Sequence, residues 1–242
     1  MVESAIGPVP EGWEVKPIGD VFEVTGGGTP SKAEPSFWEN GTINWFTPSD
    51  LTGARSHFLD ASGDQITEIG LRKSSARLFA PYSVMMTSRA TLGVFAINTT
   101  PAATNQGFIT CLPNDEAPLH FLYFWLRENA AEFERHASGA TFKEVTKGTF
   151  KKLPMCLPPS RLRRSFDETV GPMMQLILNL LNGRTGTSAP NATCFCRNSF
   201  PAKSTSADPP PPCRRRRSEP RAARLEPVAA CRMVTNMPPC SR

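Results

Sequence analysis

The chain has 242 residues, 39% of them hydrophobic and 20% charged, and a formal net charge of +5. That length supports one sizeable core with appendages. It holds no run of about 18 apolar residues, which excludes a membrane-spanning helix, and the opening MVESAIGPVPEGW lacks the basic-then-apolar order of a signal peptide, so the expected location is the cytoplasm.

The positive charge is unevenly placed. Residues 185–242 hold 10 Lys/Arg against 3 Asp/Glu, a net +7, whereas residues 1–184 hold 17 against 19, a net −2. Cys194, Cys196, Cys213, Cys231 and Cys240 lie in the tail, leaving Cys111 and Cys156 in the body, a usage that suits a reducing compartment without disulfides. Two kinds of sequence meet near Asn182.

In chain order, EGWEVKPIGDVFEV places Val15, Ile18, Val21 and Phe22 at helix-like spacing and predicts a short helix or turn followed by a strand. INWFTPSDL predicts a short strand ended at Pro48-Ser49-Asp50. From Leu78 to Leu112, YSVMMTSRA, LGVFAIN and GFITCL are rich in β-formers and predict sheet. APLHFLYFWLRENAAEFERHASG repeats Leu119, Leu122, Leu126, Ala130 and Phe133 at helical spacing, with Gly139 as the stop. FKKLPMCLPPS predicts a last short strand with an exit through Pro158-Pro159. Beyond it Phe166, Val170, Met173, Ile177 and Leu180 step by four, three, four and three, the spacing of a heptad seam interrupted at Gly171-Pro172. A plain surface helix would show the same spacing.

TGGGTPSK (Thr25–Lys32) is the stretch that most invites a catalytic reading. It lacks the Gly-Lys-Ser/Thr ending of a phosphate-binding P-loop, and Pro30 removes a backbone donor such a cradle uses. No G-x-G-x-x-G opens a helix there either. The expectation is therefore a turn over Gly26, Gly27 and Gly28 that needs positive φ and close backbone approach. His57, His120 and His136 have no metal-ligand spacing, so no metal site is predicted. No G-x-S-x-G elbow is present. LPPS lacks the acid or amide and the aromatic of an adenine-methyltransferase loop, and Glu14-Val15-Lys16 lacks the preceding aspartate of a nuclease motif.

Six separated stretches then form one picture. PEGWEVKPIGDVFEVTGGGTPSK, FWENGTINWFTPSDL, SSARLFAPYSVMMTSRATLGVFAI, ATNQGF, SGATFKEVTKGTFKKLPMCLPP and the heptad-type helix follow in order. Over residues 10–182 they resemble the DNA-specificity subunit of Type I restriction–modification systems, and more narrowly one target-recognition domain with the start of the helix behind it. The resemblance implies an α+β fold: a mixed-sheet target-recognition domain over 1–157, a truncated spacer and dimerisation helix over 158–183, and a disordered tail over 184–242. It implies a non-catalytic chain that reads half of a split target in double-stranded DNA. Such a chain holds modification (methyltransferase) subunits that methylate adenine, and a motor-nuclease subunit joins for cleavage. S-adenosylmethionine and ATP would sit on those partners, with no cofactor on this chain.

On this reading the net negative body must bind DNA through local patches. Lys32, Arg55, Arg72, Lys73, Arg89, Lys143 and Lys147 are the phosphate candidates, and Trp45, Thr47, Ser49, Asn105, Gln106 and Thr141 the base-reading candidates. Asn105 and Gln106 could equally fix a loop. Two departures stand out. Where family members run Leu-x-Glu-Gln into the helix, this chain has Ser160-Arg161-Leu162-Arg163, with Ser160 still able to cap. The family subunit carries two recognition domains and two antiparallel helices; this chain has one of each.

The tail admits three readings. Cys194-x-Cys196 lacks a second ligand pair for metal, and Arg214–Arg217 has the composition of a disordered phosphate-binding arm. The third is a frame slip near Asn182–Arg184. Codons AAC GCG ACC TGC for Asn191–Cys194, begun one base earlier, read CAA CGC GAC CTG, or Gln-Arg-Asp-Leu. The same shift continued to Ala207 can yield LLPKLISGEIDVS, matching the family's helix ending RDLLLPKLISGEIDV. The third bases are chosen; two of each three are fixed by the observed residues. A homodimer could rebuild a two-domain reader of a palindromic split target, but the slip removes the second half of the helix such pairing needs. A specificity fragment of a fused restriction–methyltransferase enzyme, and an inactive frameshifted remnant, are the alternative functions.

Overall fold

The computed structural model describes residues 1–185 apart from Ala5, Arg55 and residues 140–142. The expected disordered tail falls, from residue 186 onward, outside the described residues. The chain starts as an antiparallel ribbon of β1 (Val2–Ser4) and β2 (Gly7–Val9). β3 (Glu14–Pro17) pairs antiparallel with the last strand, β12 (Pro154–Leu157), with Val15 opposite Cys156. One helical turn, α1 (Ile18–Val21), leads into β4 (Glu23–Gly26). The helix-like spacing of Val15, Ile18, Val21 and Phe22 thus crosses a strand, a turn of helix and a bend. Ile18, Val21 and Phe22 are buried all the same.

The middle of the chain builds two mixed sheets, in keeping with the expected α+β class. β5 (Ile43–Phe46), α2 (Pro48–Gly53), β6 (Phe58–Leu59), β7 (Asp64–Ile66) and α3 (Glu68–Arg72) precede β8 (Val84–Thr87), β9 (Phe95–Asn98), β10 (Ala102–Thr104) and β11 (Phe108–Leu112). The larger sheet runs β4-β11-β8-β9-β6, with β6 and β9 parallel; the smaller runs β10-β5-β7, with β10 and β5 parallel. β8 is buried on both faces. Val84 and Met86 join the core under the helices, while Met85, pointing the other way, joins a second core with Phe46, Phe79 and Phe108. A strand covered on both sides carries an unbroken apolar run, which is why VMM shows no polar alternation.

Helices close the larger core. The single helix expected over residues 119–133 is two, α4 (Leu119–Glu128) and α5 (Ala130–Arg135), because Asn129 leaves helical geometry with φ −95° and ψ 9°. The stretch FKKLPMC is also split. Phe150–Lys152 is the last turn of α6 (Lys147–Lys152), capped by the Thr146 hydroxyl, and the strand begins only at Pro154.

The longest element, α7 (Ser160–Thr185), continues through Gly171-Pro172. It lies against α4 through part of the expected seam. Met174 and Leu178 are its buried apolar residues; Phe166, Val170 and Ile177 are half-buried, while Met173 and Leu180 are 61% and 60% exposed. Packing on α4 follows the 3.6-residue period of a straight helix, and a 3.5-residue seam drifts off that face. Asp167 Oδ1 accepts from the backbone N–H of His120 (2.7 Å) and Phe121 (3.2 Å), capping the first turn of α4 from α7. A Cβ at Gly171 would stand 3.4 Å from His120 Cε1, an ordinary van der Waals contact, so the two helices meet closely at the imidazole.

Candidate nucleic-acid interface

Five chain segments converge at one end of the two sheets. The ladder sets Gly26, the last residue of β4, opposite Ile109, and Thr87, the last of β8, opposite Phe108. Beside them β5 and β10 end in parallel, and the Asn105 N–H donates to the Phe46 carbonyl at 3.1 Å. Gly28 N–H donates to the Thr104 carbonyl at 2.8 Å, Ser88 N–H to the Gly107 carbonyl at 2.8 Å, and Val145 N–H to the Ser88 carbonyl at 3.0 Å. The result is a rim made of residues 26–32, 47–50, 87–90, 105–107 and 143–147.

The glycine turn is held by space rather than by dihedral. Gly26, Gly27 and Gly28 are not among the positive-φ residues, which corrects the expectation of a left-handed turn. A Cβ on Gly27 would sit 2.0 Å from the Asn105 carbonyl oxygen and 2.3 Å from that of Thr104; one on Gly28 would meet Ser75 and Ala76 backbone at 2.5 and 2.6 Å. The turn is wedged between two other backbones, and only a residue without a side chain fits. Close approach, the other half of the expectation, is present, and it is to the protein itself.

The predicted site residues divide three ways. Some build the rim. Trp45 is 3% exposed and its Nε1 donates to the Gly28 carbonyl at 2.9 Å, so it supports the turn and is too buried to stack on or bond a base. Asp50 Oδ2 accepts from the N–H (2.6 Å) and hydroxyl (2.8 Å) of Thr47, securing the start of α2. Asn105 Oδ1 accepts from Gly107 N–H at 2.8 Å, an Asx-type turn that fixes the loop. Others are exposed but engaged. Lys32 Nζ lies 3.0 Å from Asp64 Oδ2 and 3.8 Å from the centre of the Trp38 ring. Arg89 pairs with Glu144 at 2.7 Å, Arg72 Nε donates to the Glu68 carbonyl at 3.3 Å, and Thr29 donates to Gln106 Oε1 at 2.5 Å.

The remaining candidates, Ser49, Lys73, Lys143 and Lys147, are exposed. Lys147 leans toward the turn, its Nζ 4.0 Å from where a Gly26 Cβ would stand. Arg55 and Thr141 lie outside the described residues. Sequence reasoning missed Lys151 and Lys152, which share α6 with Lys147. Reading FKK as strand hid them; the helical period places Lys151 one turn after Lys147. Among the described residues, no carboxylate stands within ion-pair distance of Lys143, Lys147, Lys151 or Lys152.

Groups with shifted acidity lie in the body of the domain, away from this rim. Burial, and then the Arg127 charge, hold His57 below its ordinary value, with Nδ1 2.8 Å from the Tyr123 hydroxyl. Burial pushes the Cys111 thiol far up. Among the described residues no three His, Cys, Asp or Glu side chains gather to hold a metal, and no helix is long and apolar enough to cross a membrane. What the rim offers is hydroxyls, amides and lysines on a stiff base, groups suited to phosphate oxygens and base edges.

Residues 10–161 match the family model of the Type I restriction modification DNA specificity domain. The Type I restriction enzyme MjaIX specificity subunit of Methanocaldococcus jannaschii is 35% identical over 158 residues, 64% of this chain and 36% of that protein. The EcoprrI specificity subunit of Escherichia coli is 31% identical over 149 residues, 59% of this chain and 36% of that protein. The chain thus spans about a third of the length of these relatives. Among solved structures, the HsdS subunit from Thermoanaerobacter tengcongensis superposes with a TM-score of 0.52 at 19% identity, covering 76% of this chain and 43% of that one. A chain from a structure of type I R-M complex assembly and conformational transition gives 0.53 at 20% identity, covering 74% and 42%. With more than half of its residues inside the family model, this chain belongs to the Type I restriction modification DNA specificity domain family.

Proposed function

We propose that this chain is a DNA-reading module of a Type I restriction–modification system, recognising half of a split target while partner subunits carry the chemistry. The observation that carries the reading is the rim: five segments converge at one sheet end, and Lys143 and Lys147, exposed and with no carboxylate partner among the described residues, stand on its 143–147 segment. In a chain whose residues 1–184 are net negative, a local positive ridge is the form a phosphate-binding surface must take. Residues 1–157 are the reading domain and 158–183 the spacer helix. The residues from 184 on belong to a slipped frame.

Modification subunits holding S-adenosylmethionine and an ATP-driven nuclease subunit are the partners this role calls for, in the cytoplasm. The exposed Leu162, Met173, Leu176 and Leu180 on α7 support pairing with a second helix, from a partner or from another copy of this chain.

A salt titration of duplex binding by the full chain tests the reading. Binding through several lysine–phosphate contacts is expected to weaken linearly on a log–log plot, with a slope near −0.9 per contact. Affinity for duplex DNA no greater than that of an unrelated acidic protein, alone and with the modification subunits present, would exclude a DNA reader.

A further inference from the structure

Arg89 differs from the other basic residues of the rim. Its Nε and Nη2 both donate to Glu144 Oε2, at 2.9 and 2.7 Å. The backbones beneath the pair are tied as well. Ala90 N–H donates to the Lys143 carbonyl at 3.2 Å, Val145 N–H to the Ser88 carbonyl at 3.0 Å, and Glu144 exchanges both its backbone bonds with Ser138. Ala90, next in the chain, is held at φ 62°, a left-handed conformation that costs energy in a residue with a side chain. The surroundings therefore impose both the backbone and the rotamer at this point. The guanidinium is still half exposed, with 48% of the side-chain surface open.

Glu144 has two effects on what Arg89 can recognise. It cancels most of the charge, which weakens attraction to phosphates at large. By occupying the Nε/Nη2 edge, it leaves the Nη1/Nη2 edge of a half-exposed side chain for a ligand, and among the described residues Nη1 makes no hydrogen bond. That edge offers two parallel donors, the complement of the O6 and N7 acceptors of guanine in the major groove. A phosphate contact needs neither the fixed rotamer nor the neutralised charge, and Lys143 and Lys147 alongside already meet that need.

We propose that Arg89, positioned by Glu144, reads a single guanine of the target and is not a phosphate contact. This rests on the DNA-reading role above, and the test separates the two. The full-length protein, its Arg89→Lys variant and its Glu144→Gln variant are each used to select from a randomised double-stranded DNA pool, and the bound fractions are sequenced. Both substitutions lie on the exposed rim, and unchanged thermal melting verifies the fold.

The expected result is that the unaltered protein enriches a motif containing a G·C pair. Arg89→Lys, which keeps the charge and loses the fork, should lower discrimination at that pair by roughly 5- to 150-fold and leave the other positions unchanged. Glu144→Gln should weaken the same position to a smaller extent and steepen the salt dependence, because the freed guanidinium then reaches phosphates. Retention of the complete motif by Arg89→Lys, or an equal loss on every sequence, would overturn the assignment. A Glu144→Gln protein with unchanged preference and salt slope would remove Glu144 as the positioning residue. If the unaltered protein enriches no motif, alone or with the modification subunits present, the DNA-reading role fails and this assignment with it.

Discussion

The two ends of the domain handle charge in opposite ways. Where α7 meets α4 and the neighbouring strand β3, charged groups are engaged by the protein itself. Arg163, 9% exposed, donates to the Glu116 carbonyl; Lys16 bridges Glu116 (2.9 Å) and Glu14 (2.8 Å); Asp167 caps α4. At the rim, Lys143 and Lys147 are exposed with no carboxylate at ion-pair distance among the described residues, although Lys32 and Arg89 are paired. The first arrangement holds a helix in place, and the second leaves charge available for a ligand. The formal charge of the whole chain reports neither, since location and pairing decide what a charge can do.

The comparison can be broken most severely at Gly27. Gly27→Ala drives a methyl group into the Thr104 and Asn105 carbonyls, and about 3 kcal/mol of stability should be lost, read as a lower denaturant midpoint. Gly53→Ala is the control: nothing lies within 4 Å of that position, and the change should be neutral or stabilise by about 0.5 kcal/mol. Equal effects of the two would mean that the turn is not wedged.

Next in size is Asp167→Ala, which strips the cap of α4 and should cost about 1–2 kcal/mol. The group also carries a pH signature. Burial alone would raise its pKa, but the His120 imidazole and the N–H groups of Phe121 and His120 outweigh burial and hold it below the ordinary aspartate range. Its contribution is therefore complete above that range and fades as pH falls through the lowered folded value. The stability gap between the natural protein and Asp167→Asn should close on acidification; a gap constant down to strongly acidic pH would remove the charge from the explanation.

The smallest effects are on the rim itself. Lys143→Ala and Lys147→Ala should leave stability within about 0.5 kcal/mol and each reduce the salt slope of DNA binding by about 1. Lys32→Ala, already engaged by Asp64 and Trp38, should change the slope far less. If Lys32 proved the dominant contact, pairing would be a poor guide to which lysines meet DNA.

Much of this was legible in the residues. The β-formers of residues 78–112 do form strands, because burial on both faces selects such runs whatever the topology. Pro48 does end β5 and open α2. Other features depend on partners distant in sequence. That Gly27 is needed for room, not for dihedral freedom, follows from Thr104 and Asn105 lying across it. Trp45 counted as a base-reading candidate because a strand's own residues do not tell whether the face an aromatic occupies is covered. The face of α7 that meets the core could not be chosen from its own spacing, because Met173 and Met174 differ in register by one residue and only the position of α4 decides between them.

A helix of 26 residues is about 39 Å long, and α7 is fastened to α4 from Arg163 to Leu178. It is a cantilever, clamped along one flank with its tip projecting. Anything that grips the exposed Leu180 pulls on a rod already seated at Met174 and Leu178. The clamp is seated on α4, and α4 rests on β8 and β9. The beam and the strand that leads to Arg89 therefore share one chassis, with α4 between them.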